Sequence, residues 1–528
     1  MRTICMSRCT IYHCEGIELM LFIIALSPIL WLVLALSILK MPGYKACPIA
    51  LVISLLAAVL IQNMAPQQAA LAVLEGIALA CWPILLVILA AIFTYNLSLH
   101  TKGMDTIKQL LTAVSSDRRV LILLIGWGFG GFLEGMAGFG TAIAIPAGML
   151  AGLGISPVLA ASVCLVANSV PTAYGSIGIP LVTLGSVTGI DAAILARYTC
   201  LQLAPLTLLC PFIMVVVTGR SLRALQGVWP VALASGLGFL LPEILVASLM
   251  GPDLAVVAGS IGAMAAIVTT ARLFPVDAAE YRMENLQTAS SAVSFRQGFI
   301  ACLPFLLIFF LLLFTSKLIP AIHDPLNLIR SSVQIYDGGG NRPYTFTWVA
   351  TPGVLILLSA FIGGRVQGAG FGEMLGVLRQ TAVGLRFTVL TILTVIATAE
   401  VMNFSGMTHE IADTAVRATG GCYPLLASFI GSVGTFITGS ATSSCVLFGK
   451  LQMDSALAIE ADAAWVVAAN ATGACAGKMI SPQSIAIAVA AIGAPGTDSQ
   501  LLKFAVRVYL PFIVFMGLFV YLGQAFVR

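Results

Sequence analysis

Long stretches without any charged side chain constrain this chain more than any other feature. Residues 46–74, 76–101 and 198–219 contain no Asp, Glu, Lys or Arg, and a membrane helix needs only about 20 apolar residues. The composition agrees, because 59% of the residues are hydrophobic and 9% are charged, whereas a soluble domain carries roughly 25% charged residues. The sequence therefore predicts an all-α polytopic membrane protein whose main partner is the lipid bilayer.

The domain organisation follows from the absence of any long polar segment. We predict a single transmembrane domain over residues 20–528, with twelve to fourteen membrane helices and two hairpins in addition. Residues 1–19 are weakly apolar and lack the basic, apolar and small-residue order of a signal peptide. We interpret them either as an N-terminal leader or as an extension upstream of a true start at Met20.

Several other classes of function are disfavoured by composition. The net charge of +4 fits loop Lys and Arg near span ends, and no basic cluster pairs with aromatic residues as a nucleic-acid site would need. The 12 Cys include no CxxC and no Cys/His spacing typical of zinc. No Ser-His-Asp set or phosphate-binding glycine loop is present. We therefore expect no enzyme activity, no metal, no cofactor and no nucleic-acid partner.

Two regions depart from simple apolar helices. Residues 135–190 and 418–449 carry no charge, yet the first is rich in Gly, Pro, Ser, Thr and Asn, and the stretch after the second is similarly rich in Gly and Ser. Gly and Pro interrupt helices, and a broken backbone is tolerated at membrane depth only where protein or a watery cavity covers it. These regions predict re-entrant hairpins and discontinuous helices, within repeat regions of about 118–190 and 418–492.

The two broken regions resemble each other. Phe132-Leu-Glu-Gly135 matches Phe436-Ile-Thr-Gly439, and the segment from Ala167 to Pro180 matches that from Ala469 to Pro482 in Ala, Asn, Gly and Pro. The glycine precedes the asparagine, Asn168 or Asn470, by 33 and 31 residues (168 − 135 and 470 − 439). Paired interruptions at matching places indicate a transport site near the bilayer midplane; the alternative is chance similarity of glycine-rich segments. We predict that each half is a hairpin, a span and a helix broken at its Asn.

A small carboxylate crossing a membrane needs groups that replace its water. Half-helix N-termini supply N–H groups and a partial positive charge, and hydroxyls and amides add donors. The alternative role of such residues is to cap and pack broken helices. The predicted substrate-binding residues of this type are Asn168, Ser169, Thr172, Thr438, Ser440, Thr442, Ser443, Ser444, Asn470, Thr472, Ser481, Gln483 and Ser484.

Two charged residues fall inside these regions. Charges within a membrane are costly and usually functional. Glu134 is our candidate for proton coupling, since burial favours the neutral form of a carboxyl; the alternative is a structural ion pair with Lys478 or Lys450. Lys478 is a further predicted substrate-binding residue, which attracts a carboxylate, reaches an interface or pairs with Glu134. Glu75, Glu243 and Glu400 are weaker candidates for a proton relay.

Three segments resemble the lactate permease family, which includes glycolate permeases. They run from Gly131 to Gly140, from Ala167 to Gly175 and from Thr438 to Gly449, and Gly477 to Ser484 is also similar to the family pattern. The resemblance covers about residue 20 to the end. It implies proton-coupled uptake of L-lactate, D-lactate and glycolate across a bacterial inner membrane.

The second hairpin departs from the family pattern, which reads Gly-Ser-Asp-Thr-Ser-Ser-Asn. Ala441 stands in place of the Asp and Cys445 in place of the Asn. A symporter of another organic anion, such as a dicarboxylate or a sulfonate, coupled to protons or sodium, therefore remains an alternative. A sensor that binds an anion without moving it is a third hypothesis, although no signalling domain supports it. The sequence leaves open whether the protein acts as a monomer or a homodimer.

Overall fold

The computed structural model describes residues 20–527, except 33, 36–38, 40, 139, 275–278, 284–292, 316–318, 339–342 and 495. The predicted leader, residues 1–19, lies outside the described residues. The described chain is almost entirely helical, as predicted. One small element was not anticipated: an antiparallel pair of strands, β1 (Arg330–Val333) and β2 (Tyr344–Thr347), in a connecting loop.

The first part of the chain supplies apolar helices and a first hairpin. Its helices are α1 (Met20–Leu32), α2 (Gly43–Leu60), α3 (Pro66–Leu79), α4 (Leu86–His100), α5 (Gly103–Thr112), α6 (Arg118–Leu121), α7 (Gly130–Met136), α8 (Thr141–Gly152), α9 (Pro157–Asn168), α10 (Gly175–Thr188), α11 (Ala192–Gly219), α12 (Trp229–Leu249) and α13 (Ala255–Leu273). Two π-helical segments, Ala80–Leu85 and Ile122–Phe129, join α3 to α4 and α6 to α7.

The second part contains six further helices before its own hairpin, which is formed by Tyr423–Thr438 and Ala441–Ala458. Its helices are α14 (Phe295–Phe314), α15 (Pro320–Leu328), α16 (Pro352–Val366), α17 (Phe371–Gly384), α18 (Arg386–Phe404), α19 (Met407–Thr419), α20 (Tyr423–Thr438), α21 (Ala441–Ala458), α22 (Ala463–Ile480), α23 (Pro482–Ala491) and α24 (Asp498–Val527).

Membrane-crossing helices dominate the described residues. Nine are long and apolar enough to cross a membrane, or up to eleven if each bent pair of helices is one span. Shorter apolar helices include Met20–Leu32 and Pro352–Val366, and the expected number of twelve to fourteen is reached only if at least one of these also crosses. Large apolar side chains such as Leu241, Leu245 and Leu522 point outward and are 58–62% exposed, as expected for helices solvated by lipid.

Both glycine-rich regions form helical hairpins. In the first, a side chain at Gly130 would face Ala142 and Pro146, whereas one at Gly126 would face Leu150, so α8 runs back along the preceding helix. In the second, the Ser444 hydroxyl donates to the Gly431 carbonyl across α20 and α21 at 2.7 Å. We call their turns tip 1 (Ala137, Gly138 and Gly140) and tip 2 (Gly439–Ser440). That either hairpin is re-entrant stays a prediction.

The discontinuous helices confirm one predicted break and correct the other. Helix α9 ends at Asn168, and the chain bends by 61° before α10 continues. The prediction of a break at Asn470 was wrong, because α22 runs continuously from Ala463 to Ile480 and the 46° bend comes at Ser481. Ser481 is extended and precedes Pro482, which lacks a backbone donor and so favours the break there.

Two separate hydrophobic cores organise these helices. The first core combines the two hairpin regions with α11 to α13 and α24, and it includes Trp127, Cys200, Val467 and Met516. The second core combines α1 to α5 with α14, α16, α18 and α19, and it includes Ala50, Phe305 and Ile396. Residues in the arms of the two hairpins, such as Phe129 and Phe448, pack into the second core. The site described below lies where the two cores meet.

Candidate functional site

A cavity of about 370 Å³ lies between the two hairpin tips. Its first wall comes from the tips and the discontinuous helices, and it is polar. The predicted residues that line it are Glu134, Thr172, Thr438, Ser440, Thr442, Ser443, Lys478 and Gln483. The structure therefore brings together eight of the fifteen predicted residues, although they are separated by more than 300 positions in the chain.

Glu134 reaches this cavity from a helix that is surrounded by protein. The apolar stretch from Arg118 to Met136 is completely buried, and Glu134 itself is only 3% exposed. Its Oε2 has no hydrogen-bond partner among the described residues, and its carboxyl group lies so close to Gly175 that a Cβ there would be 2.7 Å from Oε1. Among the described residues, no ion pair within 4.0 Å joins Glu134 to Lys478 or Lys450. Lys450 instead pairs with Asp454, at 3.3 Å.

Lys478 holds tip 2 from the neighbouring helix. Its ammonium group donates to the Gly439 carbonyl at 2.7 Å, and the side chain is 6% exposed. Gly439 ends α20 in a left-handed conformation with φ +70°, which favours glycine, and a Cβ there would collide with Gln483. Lys478 and Glu134 both line the cavity. The site thus contains one buried cation facing one buried carboxyl group.

The hydroxyls of tip 2 lie at the N-terminus of α21. Ser440 is the capping residue, and its hydroxyl accepts from the Ser443 backbone N–H at 3.3 Å. The Thr438 hydroxyl donates to the Gly434 carbonyl at 2.8 Å and accepts from the Ser440 N–H at 3.2 Å. Thr442 and Ser443 line the cavity beside them. The first turn of α21 therefore presents N–H groups and hydroxyls, a combination that favours anions.

Tip 1 is held from α10 by a hydroxyl. The Ser176 hydroxyl donates to the Ala137 carbonyl at 2.8 Å. Ser176, Ile177 and Gly178 all have positive φ, between 48° and 72°, and this run of left-handed residues turns the chain where α10 begins. Non-glycine residues adopt this conformation at a cost, so the surrounding contacts must hold it.

The second wall of the cavity comes from helices of the other core. Gly43, Tyr44, Phe387, Thr388 and Thr391 belong to α2 and α18 and line this side, together with Met41 and Ile392. The rings of Tyr44 and Phe387 pack with their centroids 4.4 Å apart. This wall is mainly apolar and aromatic, so the cavity offers a polar surface to a charged group and an apolar surface to the rest of a small molecule.

Two of the other predicted residues, Asn168 and Ser169, lie at the break of the first discontinuous helix, and a third, Thr472, lies in α22. The Asn168 amide donates to the Thr172 hydroxyl at 3.4 Å, and its Oδ1 has no partner. The Ser169 hydroxyl donates to the Val166 carbonyl at 2.6 Å. The Thr472 hydroxyl donates to Gln202 of α11 at 3.2 Å. None of these three side chains is in the cavity lining.

The remaining four predicted residues also lie outside the lining and bond to protein. The Asn470 amide donates to the Ser444 carbonyl at 3.3 Å, and its oxygen accepts from Gln452 at 3.4 Å. The Ser481 hydroxyl donates to the Ser484 hydroxyl at 2.9 Å and accepts from the Ser484 N–H. These contacts join the hairpin to α22 and cap α23, which is the packing role considered for them above.

The other membrane-level carboxyls lie away from the cavity. Glu75 accepts from the Tyr336 N–H at 2.9 Å. Glu243 is 1% exposed and neither carboxyl oxygen has a hydrogen-bond partner under ordinary geometric limits. Glu400 is 8% exposed in α18. In the part of the chain that the structure describes, no three His, Cys, Asp or Glu side chains group as metal ligands would.

Sequence reasoning missed Ser176 and the whole second wall. Ser176 could have been found, because it is the eighth residue after Asn168 just as Lys478 is the eighth after Asn470. Tyr44, Phe387 and Thr391 carry no such signal, since they lie in ordinary apolar helices outside both repeat regions.

The fold and this cavity define a class of protein. Apolar helices surround a buried polar cavity between two hairpin tips, and its lining holds a cation, a carboxyl group and several hydroxyls. This arrangement is that of a multi-pass membrane transporter for a small charged solute.

Comparison with known proteins identifies the family. The family model described as L-lactate permease matches residues 21–527. An L-lactate permease of Streptococcus iniae is 42% identical over 453 residues, which cover 86% of this chain and 94% of the relative. The glycolate permease GlcA of Escherichia coli (strain K12) is 33% identical, with 96% of each chain covered. The chain belongs to the L-lactate permease family.

The family settles the broad function of the protein. It is a multi-pass inner-membrane transporter of a small organic anion and not an enzyme. A crystal structure of the Alcanivorax borkumensis YdaH transporter, described as having an unusual topology, aligns over 83% of this chain and 85% of that chain, with a TM-score of 0.45 and 14% sequence identity.

Proposed function

We propose that this protein takes up L-lactate or glycolate together with protons, and that the cavity between the tips is the binding site. The relatives named above are L-lactate and glycolate permeases, which supports this substrate class. The observation that carries the proposal is the Glu134 carboxyl group, which lacks a partner at Oε2 and faces Lys478 across a cavity lined with hydroxyls.

The cavity lining supports a particular division of roles. The substrate carboxylate interacts with Lys478 and with the donors at the start of α21, from Ser440 to Ser443. Thr172, Thr438 and Gln483 offer hydrogen bonds to the 2-hydroxyl group. The other seven predicted residues, which bond to protein, support these walls without touching substrate. They are Asn168, Ser169, Ser444, Asn470, Thr472, Ser481 and Ser484.

Glu134 is the proposed proton carrier. A carboxyl group buried away from water is costly to ionise without a paired cation, and no ion pair fixes Glu134 in its charged form. Proton binding there would change the charge next to Lys478 and to the bound anion. Uptake of an anion with a proton keeps the cavity close to neutral, which lowers the cost of moving the pair through a low-dielectric region.

The experiment compares two buried carboxyls in proteoliposomes. Wild-type protein should accumulate radiolabelled L-lactate and glycolate under an acid-outside gradient. Glu134→Gln should lose this accumulation and retain exchange of external for internal lactate. The Gln side chain keeps the size and polarity of Glu, so lactate still binds, but it cannot carry a proton. Glu243→Gln, a matched change in an equally buried carboxyl outside the cavity, should keep gradient-driven uptake. If Glu243→Gln lost gradient-driven uptake and Glu134→Gln kept it, the assignment of Glu134 as the proton carrier would be overturned.

A second candidate substrate follows from the composition of tip 2. Ala441 lines the cavity with a methyl group and Cys445 is completely buried behind it, at positions where the family pattern has Asp and Asn. Removal of a carboxylate beside Lys478 leaves room and positive charge for a larger or doubly charged anion, such as a dicarboxylate or a sulfonate, coupled to protons or sodium. Uptake that requires sodium and survives collapse of the proton gradient would favour this candidate.

The domain boundaries and the oligomeric state are part of the proposal. We propose that residues 20–528 work as one transporter domain, with repeat regions at about 118–190 and 418–492. A hairpin followed by a bent pair of helices in each region supports the repeat, although the bend comes later in the second region. A homodimer stays a prediction, and the mass of the purified protein in a native membrane scaffold tests it.

A further inference from the structure

Each hairpin tip is held by one side chain from the discontinuous helix of its own repeat. Ser176 donates to the Ala137 carbonyl at tip 1, at 2.8 Å, and Lys478 donates to the Gly439 carbonyl at tip 2, at 2.7 Å. The two residues occupy equivalent positions, each the eighth residue after its Asn and each preceded by a glycine. In both halves a side chain donates to a backbone carbonyl of the tip, but the donor is a neutral hydroxyl in the first half and an ammonium group in the second.

The surroundings show that both contacts are tight. At tip 1, a Cβ at Gly138 would collide with the Ser176 hydroxyl, and at tip 2 a Cβ at Gly439 would collide with Gln483. Both glycines have positive φ, +60° and +70°, so each tip turns in a conformation that an L side chain rarely adopts. Local backbone hydrogen bonds close each turn, such as Gly138 N–H to the Leu133 carbonyl and Gly439 N–H to the Thr435 carbonyl, and the Ser176 and Lys478 side chains tie the turns to the discontinuous helices.

The side chains that hold the two tips differ in charge. A serine hydroxyl offers one donor, and it is already used at Ala137. The Lys478 ammonium group can carry a positive charge, and it donates to the neutral Gly439 carbonyl. A charged carboxylate is a stronger acceptor for an ammonium group than a neutral carbonyl. An anion in the cavity can therefore compete for Lys478, whereas it has no comparable effect on Ser176.

We propose that Ser176 and Lys478 are equivalent positioning residues for the two tips, and that a carboxylate in the cavity draws Lys478 away from Gly439, so that the substrate loosens tip 2 and leaves tip 1 in place. The second half of this inference rests on the proposed function, and the first half does not. Tip 2 is then more mobile when an anion occupies the cavity than when the cavity is empty.

The substrate-free experiment tests the positioning contacts. Amide hydrogen exchange is measured on the full chain in lipid nanodiscs. Lys478→Met keeps the length of the side chain and removes its charge and donors, and it should speed exchange at Gly439–Thr442 on the order of tenfold, the scale of one lost hydrogen bond. Ser176→Ala should speed exchange at Ala137–Thr141 and leave tip 2 unchanged. Unchanged exchange at tip 2 in Lys478→Met would overturn the positioning role.

The substrate experiment tests the competition, first in the wild-type protein and then in one variant that keeps the charge. Saturating L-lactate or glycolate should speed exchange at tip 2 of the wild-type protein and leave tip 1 unchanged. Lys478→Arg, which keeps the charge, should preserve this response and restore slow exchange without substrate. An equal response of both tips, or slower exchange at tip 2, would overturn the competition.

Transport kinetics separate a positioning role from a purely structural one. Lys478→Met should change both KM and maximal rate for lactate, whereas Ser176→Ala should lower the maximal rate with little change in KM. Failure of the proposed function is distinguishable, because lactate and glycolate would then fail to raise the melting temperature of the wild-type protein. The substrate-free exchange of Lys478→Met would still decide whether Lys478 holds tip 2.

Discussion

At the scale of single residues, a missing side chain shapes the site as much as the polar groups do. Gly175 leaves the space into which the Glu134 carboxyl group fits, since a Cβ at this position would be 2.7 Å from Oε1. Gly175 does not need a special backbone conformation, because its φ is −58° and its ψ is 150°. Its role is therefore one of space alone.

We expect Gly175→Ala to impair transport without unfolding the protein. The added methyl group would push the Glu134 carboxyl group towards Lys478, and displacements of about 1 Å at a site can cost as much as 100-fold in rate. We expect lactate uptake to fall at least roughly tenfold, with a normal amount of protein in the membrane. Gly421→Ala, where a Cβ would meet nothing within 4 Å, is the matched control and should transport normally. Equal uptake by both variants would show that Glu134 has room to move.

At the scale of elements, small residues let the second hairpin approach its discontinuous helix. A Cβ at Gly431 of α20 would collide with the Asn470 carbonyl, and Cβ atoms at Gly473 and Gly477 of α22 would collide with the Ser428 and Ser432 carbonyls. Glycines four residues apart on one helix face allow such close backbone contact in membranes. The position of tip 2 over the cavity depends on this crossing.

Gly473→Ala should therefore destabilise the hairpin. Overpacking of a close contact costs about 1–3 kcal/mol, because α20 has to move away from α22. We expect a lower melting temperature of the purified protein and slower lactate uptake. Gly376→Ala, in the middle of α17 with open space around it, should leave both unchanged or slightly raise the melting temperature, since Ala favours helix. A melting temperature for Gly473→Ala equal to that of wild type would argue against a tight crossing.

The sequence predicted the hairpins better than the breaks. Charge-free, glycine-rich regions can exist at membrane depth only as covered, interrupted helices, so both hairpins followed from composition. The break in the second half did not, because Asn470 bonds to Ser444 and Gln452 on another helix and so remains inside α22. Pro482, which the sequence also shows, was the better signal, since it lacks the backbone donor that a continuing helix needs.

At the scale of the whole molecule, the cavity lies between two separately packed cores. The polar wall comes from the hairpins and the discontinuous helices, whose residues pack into both cores, and the aromatic wall, with Tyr44 and Phe387, belongs to helices of the second. The sequence predicted the membrane class and eight residues of the polar wall. It could not predict the aromatic wall, because only the long-range packing of α2 and α18 against the hairpins places these residues at the site.

Phe387→Ala should widen the range of accepted substrates. Removal of the ring enlarges the apolar side of the cavity and leaves the carboxylate donors unchanged. We expect uptake of 2-hydroxybutyrate relative to glycolate to rise about tenfold, the lower end of what one methylene is worth in an apolar pocket. Phe371→Ala, which removes a ring that is 65% exposed and outside the cavity, is the control. An unchanged ratio would show that Phe387 does not limit substrate size.

The meeting of two cores at one cavity also has an evolutionary consequence. Mutations in α2 and α18 can alter the shape offered to the tail of a substrate while the hairpins continue to hold its charged head. Because Tyr44 and Phe387 lie outside both hairpins, changes at these positions leave the polar groups of the tips in place, so selection can act on substrate preference without changing the proposed proton carrier. A lineage built on this plan can thus acquire new carboxylates through the aromatic wall and preserve its machinery for driving uptake.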